Sequence, residues 1–267
     1  MDKKTFDTIR NIVYEKAGIA LNDGKQALVS ARLGKRMRAL SISDYGHYLE
    51  HLVNDKTGEE IVQLLDAIAT NVTSFFREAA HFDFLSEQMK IWVQKGQTRF
   101  RFWSAACSSG EEPYTMAMVL SKATEGYPVD VRILATDIST RILNKAVQGE
   151  YPEEKVKTVS RSLREKYFTV TRSDEGQKFR IKDSLRSMIL YKRLNLSVTP
   201  FPMRGPMDAV FCRNVMIYFD NPVRKRLLEE FFRLVKPGGF LFVGHAESLT
   251  GMLSGFKLVK PSIYIKK

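Results

Sequence analysis

Cysteine is scarce: Cys107 and Cys212 are the two in 267 residues. They are too few and too far apart for a metal-ligand pattern such as CxxC, so no metal is expected and reduced thiols are the simplest reading. No run of about 18 uncharged apolar residues occurs, which excludes a helical membrane span. The opening Met1-Asp2-Lys3-Lys4-Thr5 has no apolar segment behind it, and a cytoplasmic location is the default expectation. Internal repeats and low-complexity tracts are also missing. What is present is an ordinary soluble composition, 44% hydrophobic and 27% charged, with a net charge of +12 and a pI near 9.6. The length allows one large domain or a main domain with a small one attached. The positive surplus asks for an acidic partner, and nucleic acid, an anionic membrane and an acidic protein all satisfy it.

The chain is organised around residues 100–115. Phe100-Arg101-Phe102-Trp103 reads as a buried strand, Ser104-Ala105-Ala106-Cys107-Ser108-Ser109 as a tight turn of small residues, and Gly110 opens a helix beginning Glu111-Glu112-Pro113-Tyr114. Small side chains let backbone N–H groups approach a ligand, and open α/β sheets bind ligands outside the carboxyl ends of their strands. Glu111 and Glu112 stand where a phosphate would sit and would repel it at close range. A ligand carrying a positive group fits better.

Ahead of this stretch the pattern is helical from Lys3 to about Leu65. A first helix closes near Gly18, and a second runs from Lys25 to Leu40 with Leu28, Leu33, Met37 and Leu40 on one face. It carries Lys25, Arg32, Lys35, Arg36 and Arg38 without one acid, which makes it either a solvated face or a docking surface. Further helices start at Ser43-Asp44-Tyr45 and Gly58-Glu59-Glu60. The polar residues of Thr70-Asn71-Val72-Thr73-Ser74-Phe75-Phe76-Arg77 leave Asn71, Thr73 and Arg77 facing a cleft between the helical part and the sheet.

Beyond the central stretch, Val129–Asp137 is a second buried strand. Asp137 at its tip stands where nucleotide-binding α/β folds place a carboxylate for ribose hydroxyls, and Ser139 can cap the next helix in its stead. The rhythm breaks between Gln148 and Met188, where a hairpin pairs Tyr167–Arg172 with Gln177–Lys182. Strands resume at Met188–Leu196 and Met207–Val215, placing Asn195 and Asn214 at strand ends. A Lys236-Pro237-Gly238-Gly239 turn precedes the strand Phe240–Gly244, and Phe256–Val259 and Ile263–Lys267 finish the chain as edge strands.

A small-residue loop, an acid and two asparagines at four successive strand ends resemble a class I S-adenosylmethionine-dependent methyltransferase. Asn71-x-Thr73-x-Phe75-Phe76-Arg77, Trp103–Tyr114, Ala135-Thr136-Asp137-Ile138 and Phe211–Phe219 together resemble the CheR family of chemotaxis receptor methyltransferases, over nearly the whole chain. The resemblance implies an α/β, Rossmann-like sheet with a small antiparallel β insertion at about 150–187, within a methyltransferase domain at 76–267. It also implies an all-helical N-terminal domain, 1–75, that docks the receptor. S-adenosylmethionine would contact Asn71, Thr73, Arg77, Glu111, Glu112, Asp137, Asn195, Leu196, Arg213 and Asn214, leaving S-adenosylhomocysteine as product, and Arg77 and Tyr218 would flank the reacting groups. The implied reaction is methyl transfer to glutamates of a receptor's cytoplasmic helical region, by a monomer that neither inserts in a membrane nor acts on nucleic acid. Arg32, Lys35 and Arg36 are the cations expected to meet the acidic receptor. Family members that hold a receptor's C-terminal peptide as an added strand carry glycines in the insertion's loop, and this turn has only Gly176. A nucleic-acid methyltransferase is the alternative, and Val215 after Asn214 departs from the Asn-Pro-Pro-Tyr tetrapeptide such enzymes use.

Overall fold

The computed structural model describes residues 1–68, 72–173, 176–247, 249, 251–252 and 255–267. Four helices come first: α1 (Lys3–Ala17), α2 (Gln26–Ala39), α3 (Tyr45–Asn54) and α4 (Glu59–Ile68). Asp2 caps α1 by accepting the Thr5 N–H at 2.8 Å, and Gly18, at φ 67°, ends it in the left-handed conformation that glycine adopts without strain. Asp44 caps α3 through the His47 N–H. Helix α1 buries Phe6, Ile9, Val13 and Ala17, the helical three-and-four spacing. The buried stripe of α2 runs through Val29, Leu33 and Met37, one position away from the expected Leu28, which is 39% exposed.

Next come α5 (Ala80–Gln94), β1 (Arg99–Ser104), α6 (Glu111–Ala123), β2 (Asp130–Asp137) and α7 (Thr140–Gln148), the last capped by Ser139. The insertion comprises β3 (Glu150–Pro152), α8 (Glu153–Val156), α9 (Arg161–Tyr167), β4 (Phe168–Ser173), β5 (Gly176–Ile181) and α10 (Asp183–Arg186). The chain ends with β6 (Ile189–Arg193), β7 (Met207–Cys212), α11 (Asn221–Leu234), β8 (Val235–Val243), β9 (Phe256–Lys260) and β10 (Ile263–Lys266). The main sheet has the order β6-β2-β1-β7-β8-β10-β9, parallel except where β10 runs antiparallel to both of its neighbours. The expected α/β sheet with a small antiparallel sheet and a helical N-terminal region is what forms.

Alternation along the strands divides the core. Trp103, Val210 and Leu241 face the side that packs the N-terminal helices and α11, whereas Phe102, Phe211 and Phe242 face α5 and α6. The Phe211 and Phe242 rings stack with centroids 4.1 Å apart.

Three local expectations need correction. Strand β10 is interior, because it folds back between β8 and β9 and buries Ile263, so β9 alone of the pair is an edge. The Lys236–Gly239 turn lies inside β8: Met207 pairs with Val235 and Ala209 with Phe240, so those four residues bulge out between paired positions. The insertion has a third strand, β3, paired with β5; at three residues it is too short to show alternation.

Candidate functional site

A cavity opens at the carboxyl ends of β1, β2, β6 and β7, on either side of the point where the sheet order reverses. The end of α1 supplies Ala17 and Ile19 to its wall, the linker ahead of α5 supplies Val72, Thr73, Ser74 and Arg77, and the sheet supplies the rest. Of the residues the sequence nominates, Thr73, Arg77, Glu112, Asp137, Asn195, Leu196, Arg213, Asn214 and Tyr218 all line it. Asn71 lies outside the described residues. Glu111 does not line the cavity: its carboxylate is fully buried and accepts from the Ser109 hydroxyl at 2.7 Å and from Lys155 at 3.2 Å.

The small-residue loop is held from three directions. The Ala105 N–H donates to the Phe211 carbonyl, the Cys107 N–H to the Thr136 carbonyl, and the Ser108 N–H to Asp137 Oδ2 at 2.9 Å. Gly110 has φ 97°, and a Cβ there would stand 2.9 Å from both Ala146 Cβ and Tyr151 Oη, so helix α6 can start this close only on glycine. Asp137 Oδ1 accepts the Ser139 N–H at 3.1 Å. The Ser108 and Ser139 N–H groups thus hold one oxygen each, and the carboxylate keeps acceptor capacity for the cavity. Burial raises the Asp137 pKa, and the Ser139 and Ser108 N–H groups offset only part of that.

In the cavity wall Arg213 joins two glutamates, Glu112 beside it in the lining and Glu78 behind. It is 6% exposed, with Nη1 3.0 Å from Glu112 Oε2 and Nη2 3.0 Å from Glu78 Oε2, and it also donates to the Arg77 carbonyl. Glu112 takes a further bond from the Ser104 hydroxyl at 2.7 Å. Burial raises the Glu112 pKa and is only partly countered by Arg213. Burial pushes the same way at Glu78, but there the Arg213 charge and its hydrogen bonds prevail and the pKa falls. Next to this trio His81 is buried and neutral, its pKa lowered to about 4 by burial and by the Arg213 charge. Glu78, His81 and His245 bring ligand-type atoms within 4.8 Å of one another, but Glu78 is already committed to Arg213.

The remaining wall residues are anchored by backbone partners. Arg77 Nη1 donates to the Val72 carbonyl at 2.8 Å, and Asn195 Nδ2 to the Lys16 carbonyl at 2.7 Å, which ties the end of α1 to the loop after β6. Asn214 has φ 57°, and Tyr218 closes a short 3-10 turn, Met216–Tyr218, whose last carbonyl accepts the Ala20 N–H at 2.8 Å. Sequence reasoning missed Glu78 and Glu247. Glu247 was findable, because it follows β8 at the same carboxyl edge where the earlier strands end in polar residues.

The basic helix is less open than its sequence suggests. Arg36 pairs with Glu60, Nε to Oε1 at 3.1 Å and Nη2 to Oε2, and Glu60 is 4% exposed and also accepts from Tyr48 at 2.8 Å. Arg32 Nη1 donates to the Ile68 carbonyl. Of the expected docking set only Lys35 is exposed, and Lys25 and Arg38 are exposed beside it. The correction has a plain cause: α4 supplies the acid that α2 lacks.

Comparison with known proteins gives concordant results. The sequence model of the CheR methyltransferase SAM-binding domain matches residues 71–265, and that of the CheR methyltransferase all-alpha domain matches residues 4–69. A chemotaxis protein methyltransferase of Borreliella burgdorferi is 37% identical over 272 residues, spanning 99% of this chain and 94% of that protein. One from Escherichia coli is 36% identical over 259 residues, spanning 97% and 89%. Chemotaxis protein methyltransferase 2 of Pseudomonas aeruginosa is 36% identical over 262 residues, spanning 98% and 92%.

Proposed function

The chain belongs to the CheR methyltransferase family, and from that premise we propose that it esterifies glutamate side chains in the cytoplasmic helical region of chemotaxis receptors. It is a chemotaxis methyltransferase, and its cofactor is S-adenosylmethionine. The observation that carries the finer reading is the cavity itself, which joins the Asp137 carboxylate, the small-residue loop and Arg77 with Tyr218 in one wall. The residues present fit the cofactor. Asp137 keeps acceptor capacity for the ribose hydroxyls, and Glu112 in the same wall suits a ligand that carries positive charge and no phosphate.

Bound there, S-adenosylmethionine supplies a methyl group on a positively charged sulfur. The chain's own task is alignment. A glutamate carboxylate, with a reference pKa of about 4.3, is ionised at neutral pH and needs no general base. Arg77 and Tyr218 would flank the reacting groups, with Arg77 orienting the incoming carboxylate; holding reactants in a near-attack arrangement contributes roughly 7 to 11 kcal/mol. Both charges vanish as the ester forms, so a wall that positions them without solvating them strongly favours transfer. Thr73, Asn195, Leu196 and Asn214 would complete the cofactor contacts, and Asn71 belongs with them by the family motif. We assign 1–75 to receptor docking and 76–267 to catalysis, in a cytoplasmic monomer. Among the described residues no helix is long and apolar enough to cross a membrane.

Incubation with methyl-labelled cofactor tests the reading. Receptor cytoplasmic fragments should take up label as base-labile esters on glutamate, while DNA and RNA should not. Label on nucleic acid, or base-stable label on the receptor, would overturn it.

A further inference from the structure

After β8 the chain turns at Gly244 and reaches Glu247, a carboxylate 3% exposed that does not line the cavity. Its Oε2 accepts the Gly244 N–H at 2.6 Å and the Asn214 N–H at 2.8 Å, and its Oε1 accepts the Ile217 N–H at 3.3 Å. Among the described residues no cation pairs with it, so backbone dipoles hold its charge. The Ile217 N–H belongs to the Met216–Tyr218 turn, which has no side-chain cap from its own N-terminal neighbour Val215. Glu247 therefore caps that turn from the loop after a separate strand, β8, as an acid caps a helix start.

Two further features show that this contact is built. Asn214 lies at φ 57°, a left-handed conformation that asparagine adopts more readily than most non-glycine residues and that persists where the surroundings hold it, and the Glu247 bond fixes its N–H. At Gly244 a Cβ would fall 2.5 Å from Asn214 Nδ2 and 2.9 Å from Glu247 Oε2, so β8 and the loop after β7 can close on each other only at a glycine. One carboxylate thus spans both ends of the segment that presents Asn214 and Tyr218 to the cavity.

We propose that Glu247 is a positioning residue for methyl transfer, holding the segment from Asn214 to Tyr218 so that both side chains face the cavity in register. The proposal rests on the reading of Tyr218 as a flank of the reacting groups. Displacement of such a group by about 1 Å can cost on the order of a hundredfold in rate.

The test uses the full chain with a receptor cytoplasmic fragment at saturating S-adenosylmethionine. Glu247→Gln keeps the shape but turns an amide group towards N–H donors. It should lower kcat at least tenfold while the protein remains folded, and amide exchange at Asn214, Gly244 and Ile217 should quicken. Glu247→Asp keeps the charge but draws it back, and should lose less. In a double-mutant cycle, adding Tyr218→Phe to Glu247→Gln should cost no more than about twofold beyond the slower single variant. Folded Glu247→Gln with kcat within twofold of the parent, or fully multiplicative losses, would overturn the proposal. So would unfolding of both Glu247 variants, which would make the residue a prop of the fold. If Tyr218→Phe alone leaves kcat unchanged, the reading of Tyr218 fails and takes the proposal with it; a Tyr218 loss without a Glu247 loss sinks only the proposal.

Discussion

Replacing Arg213 by methionine removes one buried cation from between two buried carboxylates. Side-chain exposure is 2% for Arg213, 13% for Glu78 and 12% for Glu112, so solvent can do little to make good the loss. Breaking a buried pair by deleting one partner costs about 3–5 kcal/mol. The chain has one escape, protonation, which at pH 7 costs about 1.4 kcal/mol for each unit between the pH and a carboxyl pKa of about 4.3, hence roughly 3.7 kcal/mol per glutamate. At pH 5 the same proton costs roughly 1 kcal/mol. In the parent, Glu112 has a raised pKa, a cost at neutral pH that eases on acidification, while Glu78 has a lowered one and contributes stability above its unfolded pKa that is lost below it. Without Arg213 both become costs that ease as pH falls. His81, whose Nδ1 is 3.5 Å from Glu78 Oε2, is then freed from the Arg213 charge that disfavours its protonation, and acts in the same direction. Urea unfolding of parent and Arg213→Met should therefore differ by about 3–5 kcal/mol at pH 7 and by about 1–2 kcal/mol at pH 5. A difference that does not change with pH, or one under about 1 kcal/mol at pH 7, would refute the reasoning.

Asp137→Asn relieves a buried charge whose pKa burial raises but turns an amide NH2 towards the Ser108 or Ser139 N–H, so the decisive readout is binding: calorimetry on the folded variant should show S-adenosylhomocysteine affinity down at least tenfold from lost contacts of about 1.5–3 kcal/mol each; unchanged affinity would remove Asp137 from the site. His81, neutral with a pKa near 4, contributes stability that is full above about pH 6.5 and declines as pH falls towards 4. His81→Phe should flatten that part of the stability–pH curve, and an unaltered slope would assign the acid sensitivity elsewhere. Lys35→Glu should slow receptor methylation at low salt and less near molar salt, with thermal stability unchanged, because Lys35 is exposed. Arg36→Glu instead sets a second acid against buried Glu60 and should cost roughly 3 kcal/mol or more in denaturation, whatever it does to docking.

Much of the fold was legible because local rules and tertiary packing agree. Asp2, Asp44 and Ser139 cap the helices the sequence begins there, and the strand ends carry the polar residues that meet in the cavity. What was not legible depends on partners distant in sequence. No local pattern says that β10 folds back inside β9, that Glu60 answers Arg36 from another helix, or that Glu247 reaches 33 positions back to Asn214.

The two glutamates at the start of α6 illustrate the difference. Consecutive helical residues point about 100° apart, so one cavity can take one of them, and sequence alone does not say which. Glu112 turns inward to Arg213 and Ser104. Glu111 turns towards the insertion, where Lys155 reaches it and also donates to the Thr73 carbonyl at 3.2 Å. Tyr151 donates to the Ser109 carbonyl at 2.8 Å, and Thr158 to the Phe75 carbonyl at 3.3 Å. The insertion therefore grips both the small-residue loop and the linker that carries Thr73 and Arg77, with Glu111 as the buried charge that Lys155 answers. Because that grip fixes the loop and the linker together, Glu111 matters to the site without facing it.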